Sequence, residues 1–166
     1  GGGHRHDWEF AIIWTKDRKI THGAVSAHGN IETEVAEKLI FERSDSDLPS
    51  DPGHMKVVYH KDGLLTHAMR FATENDTKAK NPYEKFVTPP IASWYSLSGE
   101  GLDNETMRIR LNYFDYDRAI LPIKDSNFYA KLNEFKPAAY PSFSEQNSGV
   151  PYGDNIGVYQ IISAHS

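Results

Sequence analysis

The segment from Asp7 to Thr15 has the clearest periodicity in the chain. Every second residue is large and apolar on one face, which comprises Trp8, Phe10, Ile12 and Trp14. The other face starts with Asp7 and Glu9 and continues with Ala11 and Ile13. A strand that is apolar on both faces is typical of the centre of a sheet packed between two layers. We therefore predict a central strand in which Trp8 and Trp14 are buried.

Further extended segments indicate a mostly β protein. The candidates are His22 to His28, Met55 to His60, Leu65 to Ala72 and Ile156 to Ala164. The middle two are separated by Lys61-Asp62-Gly63, which predicts a tight hairpin. Long polar, turn-rich stretches at 43–53, 74–90 and 141–154 are predicted to be surface loops.

Two segments have a helical pattern. Asp103 or Asn104 is positioned to cap a helix that ends near Tyr113, and Asp125 is positioned to cap a second helix that Pro137 ends. The apolar positions with helical spacing are Met107, Leu111 and Phe114 in the first helix, and Phe128, Leu132 and Phe135 in the second.

Composition excludes several classes of function. The 166 residues carry a formal net charge of -5 with no basic stripe, which argues against a nucleic-acid partner. The longest apolar run, Phe10 to Trp14, is far shorter than the roughly 20 residues of a transmembrane helix. There is no cysteine, and the chain starts with three glycines rather than a secretory signal. We expect a mature or trimmed product, or a chain whose true start is missing.

The segment Gly3-His4-Arg5-His6-Asp7-Trp8-Glu9 concentrates the candidate chemistry. A bend at the glycines would bring His4 to the side shared by Asp7 and Glu9, where the three residues would surround one cation. Two carboxylates favour Mg²⁺ or Ca²⁺, and the imidazole also suits Mn²⁺. Arg5 and His6 would either hydrogen-bond to the ligands without touching the cation or face the solvent. The ordinary alternative is a solvated strand end with histidines left from an affinity tag.

This heptapeptide resembles the hallmark motif of the necrosis- and ethylene-inducing peptide 1-like proteins, the NPP1 family. Weaker agreement continues through Ala27-His28-Gly29, Thr66-His67-Ala68 and Lys124-Asp125-Ser126-Asn127-Phe128. The resemblance implies an antiparallel β-sandwich with flanking α-helices, similar to actinoporins and some lectins.

The resemblance also implies a function. Members of this family are secreted cytolysins of plant pathogens or their relatives rather than enzymes, and they act at the host plasma membrane. They bind a divalent cation and the sugar head groups of plant glycosyl inositol phosphoryl ceramide sphingolipids, and their contact with the membrane is peripheral. By position, His4, Asp7 and Glu9 match the family's cation ligands, and His67 matches a histidine near that site.

Three departures from the family pattern limit the comparison. Strands that precede the heptapeptide in the family are missing, so residues 1–166 are expected to form a single NPP1-like domain without them. Gly63 stands near the position where many cytotoxic members carry a tryptophan, which predicts weaker lysis. The tail from Pro137 has no counterpart in the family, although Ile156 to Ile162 still predicts a closing strand.

Two other functions stay open. One is a non-toxic carbohydrate-binding module whose cation orients a sugar. The other, which the residues favour least, is a metal-dependent hydrolase or oxygenase built on His4, His6 and Asp7, or on the carboxylate pair. No nucleophile motif accompanies the cluster. The histidines at 22, 28, 54 and 60 are expected to be surface or hydrogen-bonded residues.

Overall fold

The computed structural model describes residues 7–43, 47–49, 52–63, 66–88, 98–99, 102–103, 105–144 and 156–165. Within these residues the protein is mostly β, with antiparallel sheets and two helices. The strands are β1 (Asp7–Lys16), β2 (Lys19–Ala27), β3 (Asn30–Val35), β4 (Phe41–Glu42), β5 (His54–Met55), β6 (Val57–Asp62), β7 (Thr66–Phe71), β8 (Ser98–Gly99), β9 (Leu102–Asp103) and β10 (Ile156–His165). The helices are α1 (Glu105–Tyr113) and α2 (Asp125–Phe135).

Strand β1 lies inside a four-stranded antiparallel sheet. The strand order is β10–β1–β2–β3, so β1 pairs with the closing strand on one side and with β2 on the other. This confirms the central strand predicted from the alternation, and it confirms the strand predicted near the end of the chain. The position of β1 fixes where the last three residues of the heptapeptide lie, because β1 starts at Asp7.

One face of β1 packs against the region around α2. Ile12 and Trp14 are fully buried here, and they belong to a core cluster that includes Leu132 of α2 and Tyr140. The rings of Trp14 and Tyr140 meet edge to face with centroids 5.3 Å apart, which is a favourable aromatic geometry. The second helix therefore covers this face of the sheet.

The opposite face of β1 packs against the β6–β7 hairpin. Ala11 belongs to a second buried cluster with Val25, Leu39, Met55 and Met69. Strands β6 and β7 pair from Val57 opposite Phe71 to Asp62 opposite Thr66, which confirms that these two segments form a hairpin. The predicted turn Lys61-Asp62-Gly63 was placed too early, because Lys61 and Asp62 still pair with β7 and the turn starts at Gly63. Gly63 in its turn has a φ of 78°, a left-handed conformation that glycine adopts readily. The sandwich detail and the likeness to actinoporins and lectins stay predictions.

Two expectations about individual residues were wrong. Trp8 is only half-buried, because it is the second residue of β1 and lies at the end of the sheet. Its ring meets that of Tyr116 edge to face with centroids 5.5 Å apart. Asp125 does not cap α2: the capping position is Lys124, and Asp125 is the first residue of the helix. Its carboxylate instead accepts hydrogen bonds from Arg108 at 2.6 Å and Asn112 at 3.2 Å, which tie α1 to α2.

The first helix follows the sequence pattern in its end at Tyr113, but Met107 is exposed, and Phe114, also exposed, lies just beyond the helix. The capping candidate Asn104 lies outside the described residues, and Asp103 belongs to β9. The second helix ends at Phe135, two residues before Pro137, and buries Leu132 with Phe128 and Phe135 half-buried. Among the described residues, none of the helices combines the length and apolar character needed to span a bilayer. The stretch from residue 74 to 88 is a loop, as predicted.

Asp76 holds that loop to strand β7. Its carboxylate accepts two hydrogen bonds from Arg70, at 2.7 and 2.8 Å, and one from the backbone N–H of Thr73 at 2.8 Å. The Arg70 guanidinium, helped by Thr73, holds the pKa of the Asp76 carboxyl well below its usual range. In the unfolded chain the same group takes up a proton near pH 3.9.

This difference in pKa predicts an acid-sensitive contribution to stability. Because the native carboxyl stays ionised below pH 3.9 while the unfolded one is protonated, the contribution is present above that pH and is lost as the pH falls further. Asp76→Asn should therefore flatten the fall in melting temperature between about pH 4 and pH 2. The control is Asp117→Asn, because the Asp117 carboxylate is exposed and has no described partner. Equal acid slopes for Asp76→Asn and the wild type would contradict this prediction.

Candidate functional site

Three segments meet at one end of the sheet, which we call the site edge: the start of β1, the turn between β2 and β3, and the tip of the β6–β7 hairpin. The β2–β3 turn consists of His28 and Gly29, with φ of 51° and 81°. Two successive positive φ angles are the mark of a type I′ hairpin turn. The Nε2 atom of His28 lies 3.0 Å from Oδ2 of Asp62, so this side-chain contact joins the turn to the hairpin tip.

Glu9 is a buried carboxylate at the site edge. Glu9 is only 4% exposed to solvent. One carboxylate oxygen, Oε2, accepts a hydrogen bond from the hydroxyl of Ser26 at 2.5 Å, and Oε1 accepts one from the backbone N–H of His28 at 3.4 Å. Both described donors are neutral. Burying an ionised carboxylate away from water costs free energy unless a positive charge lies nearby. The surroundings of Glu9 therefore favour a cation beside it.

His67 lies on the surface that faces Glu9. Glu9 precedes Ala11 by two positions on β1, and His67 precedes Met69 by two positions on β7. Ala11 and Met69 belong to the same buried cluster, so the alternation of side chains along a strand places Glu9 and His67 on facing surfaces. The ring of Tyr59 stacks on His67 with centroids 5.1 Å apart and an angle of 10° between the planes. The stack restrains the orientation of the imidazole.

The rest of the predicted ligand set lies outside what the structure describes. His4, Arg5 and His6 are not among the described residues, and only the backbone of Asp7 is described, as the first residue of β1 opposite His165. The described side chains contain no group of three His, Asp or Glu residues that would hold a metal ion. The complete set of His4, Asp7, Glu9 and His67 stays a prediction.

The structure adds three residues to the site edge that the site predictions did not include. Ser26 and the backbone of His28 contact Glu9, and Asp62 contacts the ring of His28. The His28-Gly29 pair carries a usable signal, because a glycine in the second turn position suits a type I′ hairpin. Ser26 carries none, since its contact depends on which residues β1 and β2 place side by side.

The remaining histidines behave as expected of surface or hydrogen-bonded residues. The imidazole of His22 lies 3.0 Å from the hydroxyl of Thr21, that of His54 lies 3.2 Å from Asp47, and that of His60 lies 3.1 Å from the carbonyl oxygen of Lys61.

Together these features define a mostly β protein with an acidic site at one end of its main sheet. The family model for necrosis inducing protein (NPP1) matches residues 1–135. The chain therefore belongs to the necrosis inducing protein (NPP1) family. This confirms the family suggested by the heptapeptide.

Curated relatives carry names of the same kind. The chain is 28% identical over 142 residues to NLP effector protein 14 of Phytophthora capsici, a match that covers 82% of this chain and 89% of the relative. It is 28% identical to NLP effector protein 7 of the same organism, of which it spans 37%. It is 26% identical to necrosis-inducing protein NPP1 of Phytophthora nicotianae over 80% of this chain and 48% of the relative. No solved structure matches the chain.

Proposed function

We propose that this protein is a secreted, necrosis-inducing effector that docks on plant plasma membranes through a divalent cation held at the site edge. The docking ligand is the sugar head group of glycosyl inositol phosphoryl ceramide sphingolipids, and damage to the membrane follows from docking rather than from bond cleavage. The observation that carries this proposal is Glu9, a nearly buried carboxylate with two neutral described partners at the end of the sheet where the heptapeptide lies. Membership of the NPP1 family supports the same conclusion.

The predicted donor set of His4, Asp7, Glu9 and His67 would suit a hard divalent cation. The carboxylate of Glu9 supplies the oxygen that Mg²⁺ or Ca²⁺ prefers, and the imidazoles of His67 and His4 would make Mn²⁺ acceptable. Asp7 would supply a second carboxylate. When bound, the ion supplies a positive charge that sugar hydroxyl or phosphate oxygens of a head group can approach.

Charge explains why the proposal names a specific head group. The chain has a formal net charge of -5, which gives little attraction to an anionic lipid surface. Docking must therefore come from recognition at one site. Gly63, at the tip of the β6–β7 hairpin next to the site edge, offers no aromatic ring to the interfacial region, where Trp and Tyr are favoured. The proposed docking is accordingly shallow, with weak lysis.

Dye release from lipid vesicles tests the lipid specificity. Vesicles of phosphatidylcholine and sterol, with and without plant glycosyl inositol phosphoryl ceramide, are loaded with a self-quenching dye and mixed with the full chain and Mg²⁺ or Ca²⁺. We expect release only from vesicles that contain the sphingolipid. Equal release from both preparations would contradict head-group recognition.

The two alternatives predict different results in the same assay. A non-toxic carbohydrate-binding module would bind sphingolipid vesicles and leave leaf tissue and the dye unaffected. A metal-dependent hydrolase or oxygenase would convert the lipid or a small substrate into product, and Asp7→Ala would abolish the turnover. Membership of the necrosis inducing protein (NPP1) family favours the effector over both alternatives.

A further inference from the structure

A serine hydroxyl interrupts the hydrogen-bond ladder next to Glu9. The pairing of β1 with β2 ends at Ala11 opposite Val25. One residue further, the backbone N–H of Phe10 donates to the side-chain oxygen of Ser26 at 2.7 Å. The backbone of Ser26 stays in the sheet through its pairing with Ile31 of β3. The hydroxyl therefore occupies a fixed place between two strands.

The same hydroxyl also forms a hydrogen bond with Glu9. A serine hydroxyl has one hydrogen to donate, and Ser26 donates it to Oε2 of Glu9 at 2.5 Å. Ser26 is 3% exposed, so water does not compete for this hydrogen. The hydroxyl oxygen accepts the hydrogen bond from the N–H of Phe10, which fixes its orientation. The hydroxyl hydrogen can therefore point in only a narrow range of directions. A charge-assisted hydrogen bond of this length is among the stronger ones in proteins.

The geometry points to Ser26 as a positioning residue that sets the orientation of the Glu9 carboxylate for the cation. The hydrogen bonds from Ser26 to Oε2 and from His28 to Oε1 occupy one lone pair on each oxygen and fix the carboxylate plane. As far as the described part of the chain shows, the other lone pairs of the two oxygens remain available to an ion. This inference rests on the proposed function, because it needs a cation at the site edge.

Calorimetric titration of Ser26→Ala with Mg²⁺, Ca²⁺ and Mn²⁺ tests the inference. Loss of a hydrogen-bond partner that orients a metal ligand typically lowers metal affinity 10- to 100-fold, and we expect a loss in that range for the ion that the wild type binds best. Ser26→Thr keeps the hydroxyl and should recover most of the affinity. The shift in melting temperature on adding the ion gives a second readout of the same affinity.

Thr21→Val is the matched control. Thr21 lies on the same strand near its other end, where its hydroxyl donates to the carbonyl oxygen of Trp14 at 3.2 Å and lies 2.6 Å from the phenol oxygen of Tyr140. Its removal also breaks partly buried hydrogen bonds between chain segments, but at the other end of the strand from Glu9. We expect Thr21→Val to lower stability and to leave the ion affinity unchanged.

The outcomes separate this inference from the proposed function. If the wild type binds none of the three ions, the cation part of the proposed function fails and the role of Ser26 fails with it. If the wild type binds an ion and Ser26→Ala binds it within twofold, the role of Ser26 is overturned while the cation site stands. If Thr21→Val loses as much affinity as Ser26→Ala, the effect comes from general destabilisation and the inference is also overturned.

Where Ser26→Ala is too unstable to titrate, Ser26→Cys replaces it, because the thiol keeps a weak donor. We expect Ser26→Cys to show an intermediate loss of ion affinity, and wild-type affinity in this variant would overturn the inference.

Discussion

Replacing Glu9 by Gln is expected to lower the affinity for Mg²⁺ or Ca²⁺ by more than about 100-fold, since it removes a ligand charge that hard cations require. Gln has the same shape as Glu and still accepts the hydrogen bond from Ser26. It also removes a buried charge, so the ion-free protein should keep or slightly gain stability. The ion-induced rise in melting temperature should disappear.

Glu34→Gln is the matched control for that prediction. Glu34 lies on β3 opposite Gly23, away from the site edge, and its carboxylate pairs with Lys38 at 3.1 Å. The same change in charge and shape there should leave the ion affinity at the wild-type value. Wild-type affinity in Glu9→Gln, measured by calorimetry, would show that Glu9 is not a ligand.

The second large effect is expected in the core. Ile12 lies in the middle of β1 with no exposed surface and belongs to the cluster that β1 forms with α2. Ile12→Ala should lower the free energy of unfolding by about 2–5 kcal/mol, because it removes buried methyl groups and leaves a cavity. Urea denaturation followed by tryptophan fluorescence measures this change.

Ile120→Ala provides the control with the same substitution. Ile120 is 60% exposed, so the same loss of methyl groups should change the free energy of unfolding by less than about 0.5 kcal/mol. Similar losses for both variants would mean that β1 is not packed between two layers. That result would remove the fold on which the position of Glu9 depends.

The central strand could be predicted from the sequence because its physical cause is local. Residues 10 to 14 are apolar on both faces, and only a strand between two layers buries both. The β6–β7 hairpin was predictable for a similar reason, since its turn starts with a glycine of positive φ, Gly63. Strand β3 was not predicted. It is an edge strand, and its acidic residues Glu32 and Glu34 obscure the apolar alternation while discouraging further strand pairing.

Features that depend on distant partners could not be predicted. Asp125 has the residue type and position of a helix cap, but its carboxylate binds Arg108 and Asn112 of α1, which the local sequence does not indicate. The burial of Trp8 was overestimated for the same reason, because the alternation does not show which segment covers each end of a strand.

The candidate site was predictable only in part. The spacing of acids and histidines indicated a cation near Glu9, whereas His67 was included through resemblance to the family. Glu9 and His67 lie on facing surfaces because the β6–β7 hairpin packs on the main sheet. Ser26 and His28 contact Glu9 because of the way β1 and β2 are aligned. Neither is encoded in a contiguous motif.

Binding to sphingolipid vesicles with and without a chelator tests the central claim most directly. The full chain is sedimented with vesicles that contain plant glycosyl inositol phosphoryl ceramide in Mg²⁺ or Ca²⁺, then after EDTA, and again after the ion is restored. We expect binding that EDTA abolishes and the ion restores, with no binding to vesicles of phosphatidylcholine alone. Binding that is unchanged by EDTA, or equal on both kinds of vesicle, would contradict cation-dependent recognition of the sugar head group.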